Sequence, residues 1–293
     1  MTSVSLPVGI VTYNPELGRL KDNLDAISSQ TGLILIYDNG SNNFKMIQSF
    51  LDAYPCATLI DGGKNSGMAV ALNVLANEAV KREFTDILFL DQDSVAPDGM
   101  LLHLASRRSN RIGIIGPKIV DRNELEASGA SGVVQVPRLI TSGSLLNLHA
   151  FEAVGGYDER LFVDWVDFEF CNNLRIHGYE LVRDNDVRLL HEFGHEEYAG
   201  RMVHRSKDGG FETYSYYRSN HPVWRMRDRG RSLAITSLKY RDTELAGEDA
   251  AIYRKSLIKT ALFERNGLKK AYEMARGWND GKRAFRGSDV QNQ

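Results

Sequence analysis

DILFLDQD, residues 86–93, is an apolar run that ends abruptly on two carboxylates. Apolar side chains on consecutive rather than alternate residues mark a strand buried on both faces, as a parallel strand covered by helices is. The same kind of run recurs upstream as VGIVT (8–12), LILIY (33–37) and ATLI (57–60), and the segments between carry helical spacing near 16–29, 44–54 and 67–82. This strand–helix alternation predicts an α/β fold on a Rossmann-like, mostly parallel sheet flanked by helices. Such sheets bind ligands beyond the C-terminal ends of their strands. The polar clusters fall there: Thr12-Tyr13-Asn14 after the first run, Asp38-Asn39-Gly40-Ser41 after the second, Asp91-Gln92-Asp93 after the fourth.

Beyond about residue 112 the alternation gives way to Gly-rich and mixed segments, with a strand expected over 139–146. Helices are expected near 149–154, 166–177 (closed by Gly178), 215–230, 249–264 and 267–276. The reading divides the chain into a catalytic domain over 1–222, with a nucleotide-binding half to about 115 and an acceptor half over 116–222, and a helical C-terminal extension over 223–293.

The 293 residues suffice for a sizeable core, and 42% hydrophobic with 25% charged residues excludes a disordered or fibrous chain. No apolar run reaches the roughly 18 residues that span a bilayer, and the first Lys or Arg is Arg19, so neither a signal peptide nor a membrane span is expected. Cys56 and Cys171 stand apart, which suits a reducing, cytoplasmic setting and excludes a zinc ribbon. Net charge is −2, yet residues 223–293 hold 16 Lys/Arg against 9 Asp/Glu, leaving an acidic body and a basic tail. Within that tail, Ile258, Ala261, Leu262 and Arg265 repeat at helical spacing among cations. Such a surface suits an anionic membrane, peripheral at its inner face, or packing against the body or a second subunit in a homodimer. Nucleic acid is not an expected partner.

Asp91 and Asp93, side by side at a strand end, have the hard oxygens that hold Mg²⁺ or Mn²⁺ against phosphate, although a DxD is also an ordinary turn. Asp38 can accept from a pyrimidine N3–H or a ribose hydroxyl and can equally close an Asx turn with Asn39-Gly40. In Gly62-Gly63-Lys64-Asn65-Ser66-Gly67, ahead of a helix containing Asn73, glycines and free helix N–H groups suit an anion, without the spacing of a Walker or dinucleotide loop.

The ordered set VTYNP, YDNGS, NSGMAVALN, FLDQDS, TSGSLL and GGYDERLFVDWVDFEFCNNLRIHGYEL resembles the family 2 nucleotide-sugar glycosyltransferases of GT-A fold over about residues 6–195. LLHEFGH (189–195) and YSYYRSNHPVW (214–224) are similar to the rhamnosyltransferase branch of that family. The resemblance implies that Thr12, Tyr13, Asn14 and Asp38 hold the nucleoside, and that Asn65, Gly67 and Asn73 border the base and diphosphate. It makes Asp93 a metal ligand, puts Asp91 on the ribose or the metal's water shell, and has His191 complete the metal contacts. Lys64 and Arg218 become diphosphate partners, and Ser142, Gly143, Asp164 and Trp165 face the donor and acceptor sugars.

The family's general base corresponds to Asp167, which also fits the third position of a helical capping box begun by Asp164. Where the wider family has Glu-Asp, this chain has Val166-Asp167, a change familiar in the rhamnosyltransferase branch. The QxxRW of processive synthases is missing after the base, which implies single transfer. The resemblance thus implies inverting transfer of L-rhamnose from dTDP-β-L-rhamnose to a sugar hydroxyl of a polyprenyl-linked surface polysaccharide. UDP-galactofuranose or a UDP-hexose is the alternative donor, and a non-catalytic sugar-binding scaffold the alternative class.

Overall fold

A computed structural model of the chain describes residues 6–120, 131–190, 197–205 and 209–291. The chain divides into two compact units, the first of Met1–Phe162 and Val166–Glu192, the second of Val163–Trp165 and Phe193–Gln293. The division expected after residue 222 falls inside the second unit.

The first unit opens with β1 (Val8–Thr12), α1 (Leu17–Ser28), β2 (Ile34–Asp38), α2 (Phe44–Leu51), β3 (Ala57–Asp61), α3 (Met68–Lys81) and β4 (Asp86–Asp91), within three residues of the expected alternation. It continues through α4 (Met100–Ser106), β5 (Ile112–Val120), β6 (Val133–Gln135), β7 (Leu145–Asn147), α5 (Leu148–Ala153), α6 (Val166–Ile176) and β8 (Glu180–Leu190). Among the described residues these strands form one sheet in the order β3-β2-β1-β4-β7-β5-β8-β6. The first four pair in parallel; β7 is antiparallel to both β4 and β5, while β5 and β8 are parallel. β5 therefore runs in the same direction as β4, and their C-terminal ends share one edge.

Alternate residues feed opposite layers. Val8, Ile10, Ile34, Ile36, Leu88 and Leu90 pack with Leu20, Leu24, Ile27 and Leu104 of α1 and α4. On the other face Phe89 meets Tyr157 edge-on at 6.4 Å, and Tyr157 stacks on Phe170 of α6 at 4.0 Å. Gly9 leaves the space for that aromatic layer: a Cβ there would stand 2.9 Å from the Phe89 ring.

The second unit holds β9 (Glu197–Arg205) and β10 (Phe211–Arg218), paired antiparallel, followed by α7 (Val223–Lys239), α8 (Glu248–Phe263) and α9 (Gly267–Gln291). α7 and α9 approach closely because Gly230 and Gly277 face each other's backbones; a Cβ on Gly277 would stand 1.9 Å from the Arg227 carbonyl oxygen. Arg227 and Asp280 pair at 2.7 Å across the same contact, and Tyr253 stacks on Trp278 at 4.0 Å.

Three expected elements change. The helix expected over 267–276 runs on as α9 to Gln291. The helix expected over 215–230 is strand to Arg218 and helix only from Val223, because aromatic and β-favouring residues fill 211–217 and Pro222, lacking an N–H, is a natural helix start. The strand expected over 139–146 is reduced to Leu145–Asn147, since Gly143 turns the chain at φ 80°. β8 was not expected as a strand: its charged residues mask an alternation of buried and half-exposed positions.

Candidate active site

The edge where β1, β2 and β4 end is built from amides and carboxylates that bind one another. Thr12 and Asp38 are fully buried, and the Thr12 hydroxyl donates to Asp38 Oδ1 at 3.1 Å. Asp38 Oδ2 accepts the amides of Gly40 and Ser41 at 3.2 and 2.8 Å, so the Asx-turn role is realised. Ser41 Oγ in turn accepts the Asn14 amide at 2.7 Å, and Asn14 Oδ1 accepts from Asn42 at 2.8 Å. These bonds hold Asn14 in the left-handed region, at φ 47°. Tyr13, next to it, is 47% exposed at the mouth of this edge.

Asn39, read from the sequence only as part of the turn after β2, also fastens the loop that precedes α3. Its amide donates to Asn65 Oδ1 at 3.2 Å and its Oδ1 accepts the Ser66 amide at 2.8 Å. Gly67 then starts α3 at φ 91°, where a Cβ would meet the Phe162 carbonyl at 2.7 Å. Lys64 and Asn65 are exposed on this loop. Asn73 is placed differently: both ends of its amide are engaged by Tyr157 and Glu159, at 2.8 to 3.0 Å, so it ties α3 to the strap ahead of α6.

The Asp91-Gln92-Asp93 turn is fixed from three sides. Fully buried Asn23 donates to the Asp91 carbonyl at 2.7 Å, Gln92 Oε1 accepts the Tyr13 amide at 2.9 Å, and Ser142 Oγ accepts the Asp91 amide at 3.1 Å. Asp91 and Asp93 are half-buried at this strand end. Two hard carboxylates at one strand end have the donor chemistry that suits Mg²⁺ or Mn²⁺. Val95 bridges to Leu190, bringing the end of β8 beside the turn; His191 lies outside the described residues.

Asp167 sits in the first turn of α6 and lines a small recess with Thr141, Ser144, Tyr157 and Phe170. The segment 141–144 thus joins the two carboxylate positions: Ser142 holds Asp91, and its neighbours Thr141 and Ser144 border Asp167. Burial, with the nearby Asp167 charge adding, pushes the Tyr157 hydroxyl well above its usual range. Burial first, with Asp167 again adding, pushes Cys171 up to about 12. Both stay protonated near neutrality, and Asp167 is the carboxylate among the residues that line the recess.

Asp164, Trp165 and Arg218 belong to the second unit. Asp164 pairs with Arg225 at 3.2 Å. Trp165 is 7% exposed and left-handed at φ 74°, with its indole N–H donating to Asp249 at 3.0 Å. Its ring is therefore packed inside rather than offered to a sugar. Arg218 donates to the Phe263 carbonyl at 2.5 Å and faces Glu197 at 3.6 Å.

A further carboxylate group unites His103, Asp184 and Asp186. Asp184 is fully buried, with His103 Nε2 at 3.0 Å and Arg107 Nε at 3.4 Å on the same oxygen. The arginine makes this an internal ion-pair cluster.

A parallel half ending in a DxD turn, continued by a mixed half that presents a carboxylate at a helix start, has the architecture of the GT-A fold. Residues 8–131 match the sequence profile of glycosyl transferase family 2. The chain is 29% identical over 203 residues to the dTDP-rhamnosyl transferase RfbF of Shigella flexneri, a match covering 63% of this chain and 68% of the relative. Among solved structures, S. aureus TarS 1–349 in complex with UDP-GlcNAc aligns at TM-score 0.62 and 14% identity, over 96% of this chain and 80% of that one. GalNAc-T7 with UDP, GalNAc and Mn²⁺ aligns at TM-score 0.55 and 14% identity over 65% of this chain, which spans only 44% of that protein.

Proposed function

We propose that the chain transfers L-rhamnose from dTDP-β-L-rhamnose to a hydroxyl of a glycan acceptor, with inversion. The observation that carries this reading is the 29% identity to a dTDP-rhamnosyl transferase over a stretch of 203 residues. Asp167 accepts the proton of the acceptor hydroxyl as that oxygen attacks the anomeric carbon. The new C–O bond forms opposite the bond to the dTDP phosphate, which breaks with its electron pair leaving on the diphosphate. Asp93, with Asp91 beside it, would hold a Mg²⁺ or Mn²⁺ ion that takes up charge on the departing diphosphate. Thr12, Asn14 and Asp38 shape the nucleoside end, Asn65 and Gly67 the phosphate end, and Ser142 and Gly143 the floor beneath the donor sugar.

The acceptor in this reading is a lipid-linked surface polysaccharide intermediate, approached at the inner face of the membrane. Support comes from α8 and α9, where Ile258, Leu262, Leu268 and Tyr272 are each at least 60% exposed in a segment rich in Lys and Arg. Among the described residues no helix is long and apolar enough to cross a membrane.

The test is Asp167→Asn against a panel of dTDP- and UDP-sugars. We expect transfer to fall by about 10²–10⁴-fold with dTDP binding retained. Near-normal turnover would remove Asp167 from the chemistry, and preference for a UDP-sugar would remove rhamnose.

A further inference from the structure

We infer that α7 and α8 position the base: Arg225, Asp228 and Asp249 grip the three residues Val163–Trp165, and through them set where the first turn of α6 carries Asp167. The inference rests on Asp167 as the base. The gripping residues are positioning residues, acting through the chain rather than on reacting atoms.

Val163–Trp165 belong to the second unit, although Phe162 and Val166 on either side belong to the first. Each of the three is bound by α7 or α8, and all of these bonds lie within the second unit. One oxygen of Asp228, Oδ2, accepts the amides of Val163 and Asp164 at 3.1 and 3.0 Å. Arg225 Nε reaches both oxygens of Asp164, at 3.3 and 3.2 Å. The Asp164 carboxylate, which the sequence offered as the cap of α6, is thus held by α7. The Trp165 indole donates at 3.0 Å to Asp249, which is 2% exposed in the first turn of α8. The Arg229 guanidinium lies 5.6 Å from the centre of the Trp165 ring.

Trp165 shows what the grip does. It stands directly before α6 at φ 74°, a left-handed backbone that a bulky side chain rarely takes. Glycine would take that conformation without strain but would give α7 and α8 nothing to hold. Such strain persists only where surrounding contacts over-determine the backbone, and it collects where geometry matters for function. Released, Trp165 would relax toward ordinary dihedrals and swing the entry into α6. Asp167 is the second residue of that helix, and its Oδ1 accepts the Phe168 amide at 2.8 Å, so its carboxylate follows the backbone of the turn. A shift of about 1 Å in a reacting group is enough to cost about 10²-fold in rate.

The experiment measures hydrolysis of dTDP-β-L-rhamnose, or of UDP-glucose if that is cleaved faster, with Mn²⁺ and with water in place of the acceptor. Asp228→Ala, Asp228→Asn, Trp165→Phe, Asp167→Asn and the double variant Asp228→Ala/Asp167→Asn are compared with the intact chain below their melting temperatures, read by circular dichroism. Asp228→Ala removes the acceptor of two amides. Trp165→Phe keeps a ring but loses the N–H that donates to Asp249, and it decides the matter if Asp228→Ala does not fold. Each should lower kcat by about tenfold or more while donor KM and dTDP affinity hold. Asp228→Asn, which still accepts from both amides, should return kcat to within about threefold of the wild type. In the Asp167→Asn background Asp228→Ala should cost nothing further, since the base it positions is gone. The positioning role is overturned, and the base assignment left standing, by a wild-type kcat in both Asp228→Ala and Trp165→Phe or by a rise in KM in place of the fall in kcat. The same holds for an equal fold-loss with and without the Asp167 carboxylate. Asp167→Asn at the wild-type rate, or no hydrolysis of either sugar by the intact chain, removes the base and this inference with it.

Discussion

Ser142 Oγ lies 3.1 Å from the Asp91 amide and 2.7 Å from Ser94 Oγ, so one hydroxyl, 2% exposed, braces both sides of the DxD turn from the loop that borders Asp167. A single four-residue segment therefore braces the turn proposed to bind metal and lines the recess of the proposed base, Asp167.

Ser142→Ala leaves the Asp91 amide without its acceptor in a buried place. Stability should fall by about 1–3 kcal/mol in urea denaturation. Because the geometry on which transfer depends loosens too, kcat should fall more than donor KM rises. A variant with wild-type kcat would show that the brace is purely structural.

Metal removal tests the carboxylates. Excess chelator should stop transfer and Mn²⁺ or Mg²⁺ restore it, and Asp93→Asn should weaken the ion's effect without unfolding the chain. Full activity in chelator would take the metal role away from Asp91 and Asp93.

Asp228, on α7, accepts the amides of Val163 and Asp164 at 3.1 and 3.0 Å. Burial raises its carboxyl above the ordinary value, against the lowering effect of those two amides. A raised value means that the folded chain favours the protonated form. Its contribution to stability is whole below the unfolded-state value and is lost as pH rises through the folded one. Asp228→Asn still accepts from both amides and carries no charge, so its melting temperature should gain on the wild type as pH rises from about 4 to 7. An unchanged difference across that range would refute the assignment.

Close helix contact makes a packing prediction. Gly277→Ala should destabilise the second unit by about 1–3 kcal/mol or more through overpacking against the Arg227 carbonyl. Gly210→Ala, where an added Cβ meets nothing within 4 Å, should be nearly neutral and serves as the control. Equal midpoints for the two in urea would contradict the α7–α9 contact.

Consecutive apolar residues cannot sit in a half-exposed strand, so VGIVT, LILIY and DILFLD had one available structure, and the succession of β1 to β4 along the chain followed from spacing alone. Placement of Thr12, Asp38 and Asp91 at strand ends came with it. Sequence also marked Asp167 at a helix start. Several relations were set only by tertiary structure, because they join residues far apart in the chain. Asn73 looked like a phosphate-loop residue and is engaged by Tyr157 and Glu159. Trp165 looked available to a sugar and is buried against Asp249. Asn39, Asn23 and Gln92 matter through partners 27, 68 and 79 positions away, which no local pattern records. Lys118, Arg138 and Arg183 line one cleft for the same reason, because β5 and β8 pair beside the segment that leads into β7. Hydrophobic periodicity determines which strands form and where their ends lie, since burial acts residue by residue. The meeting of charges from distant segments depends on strand order, and strand order was decided in three dimensions.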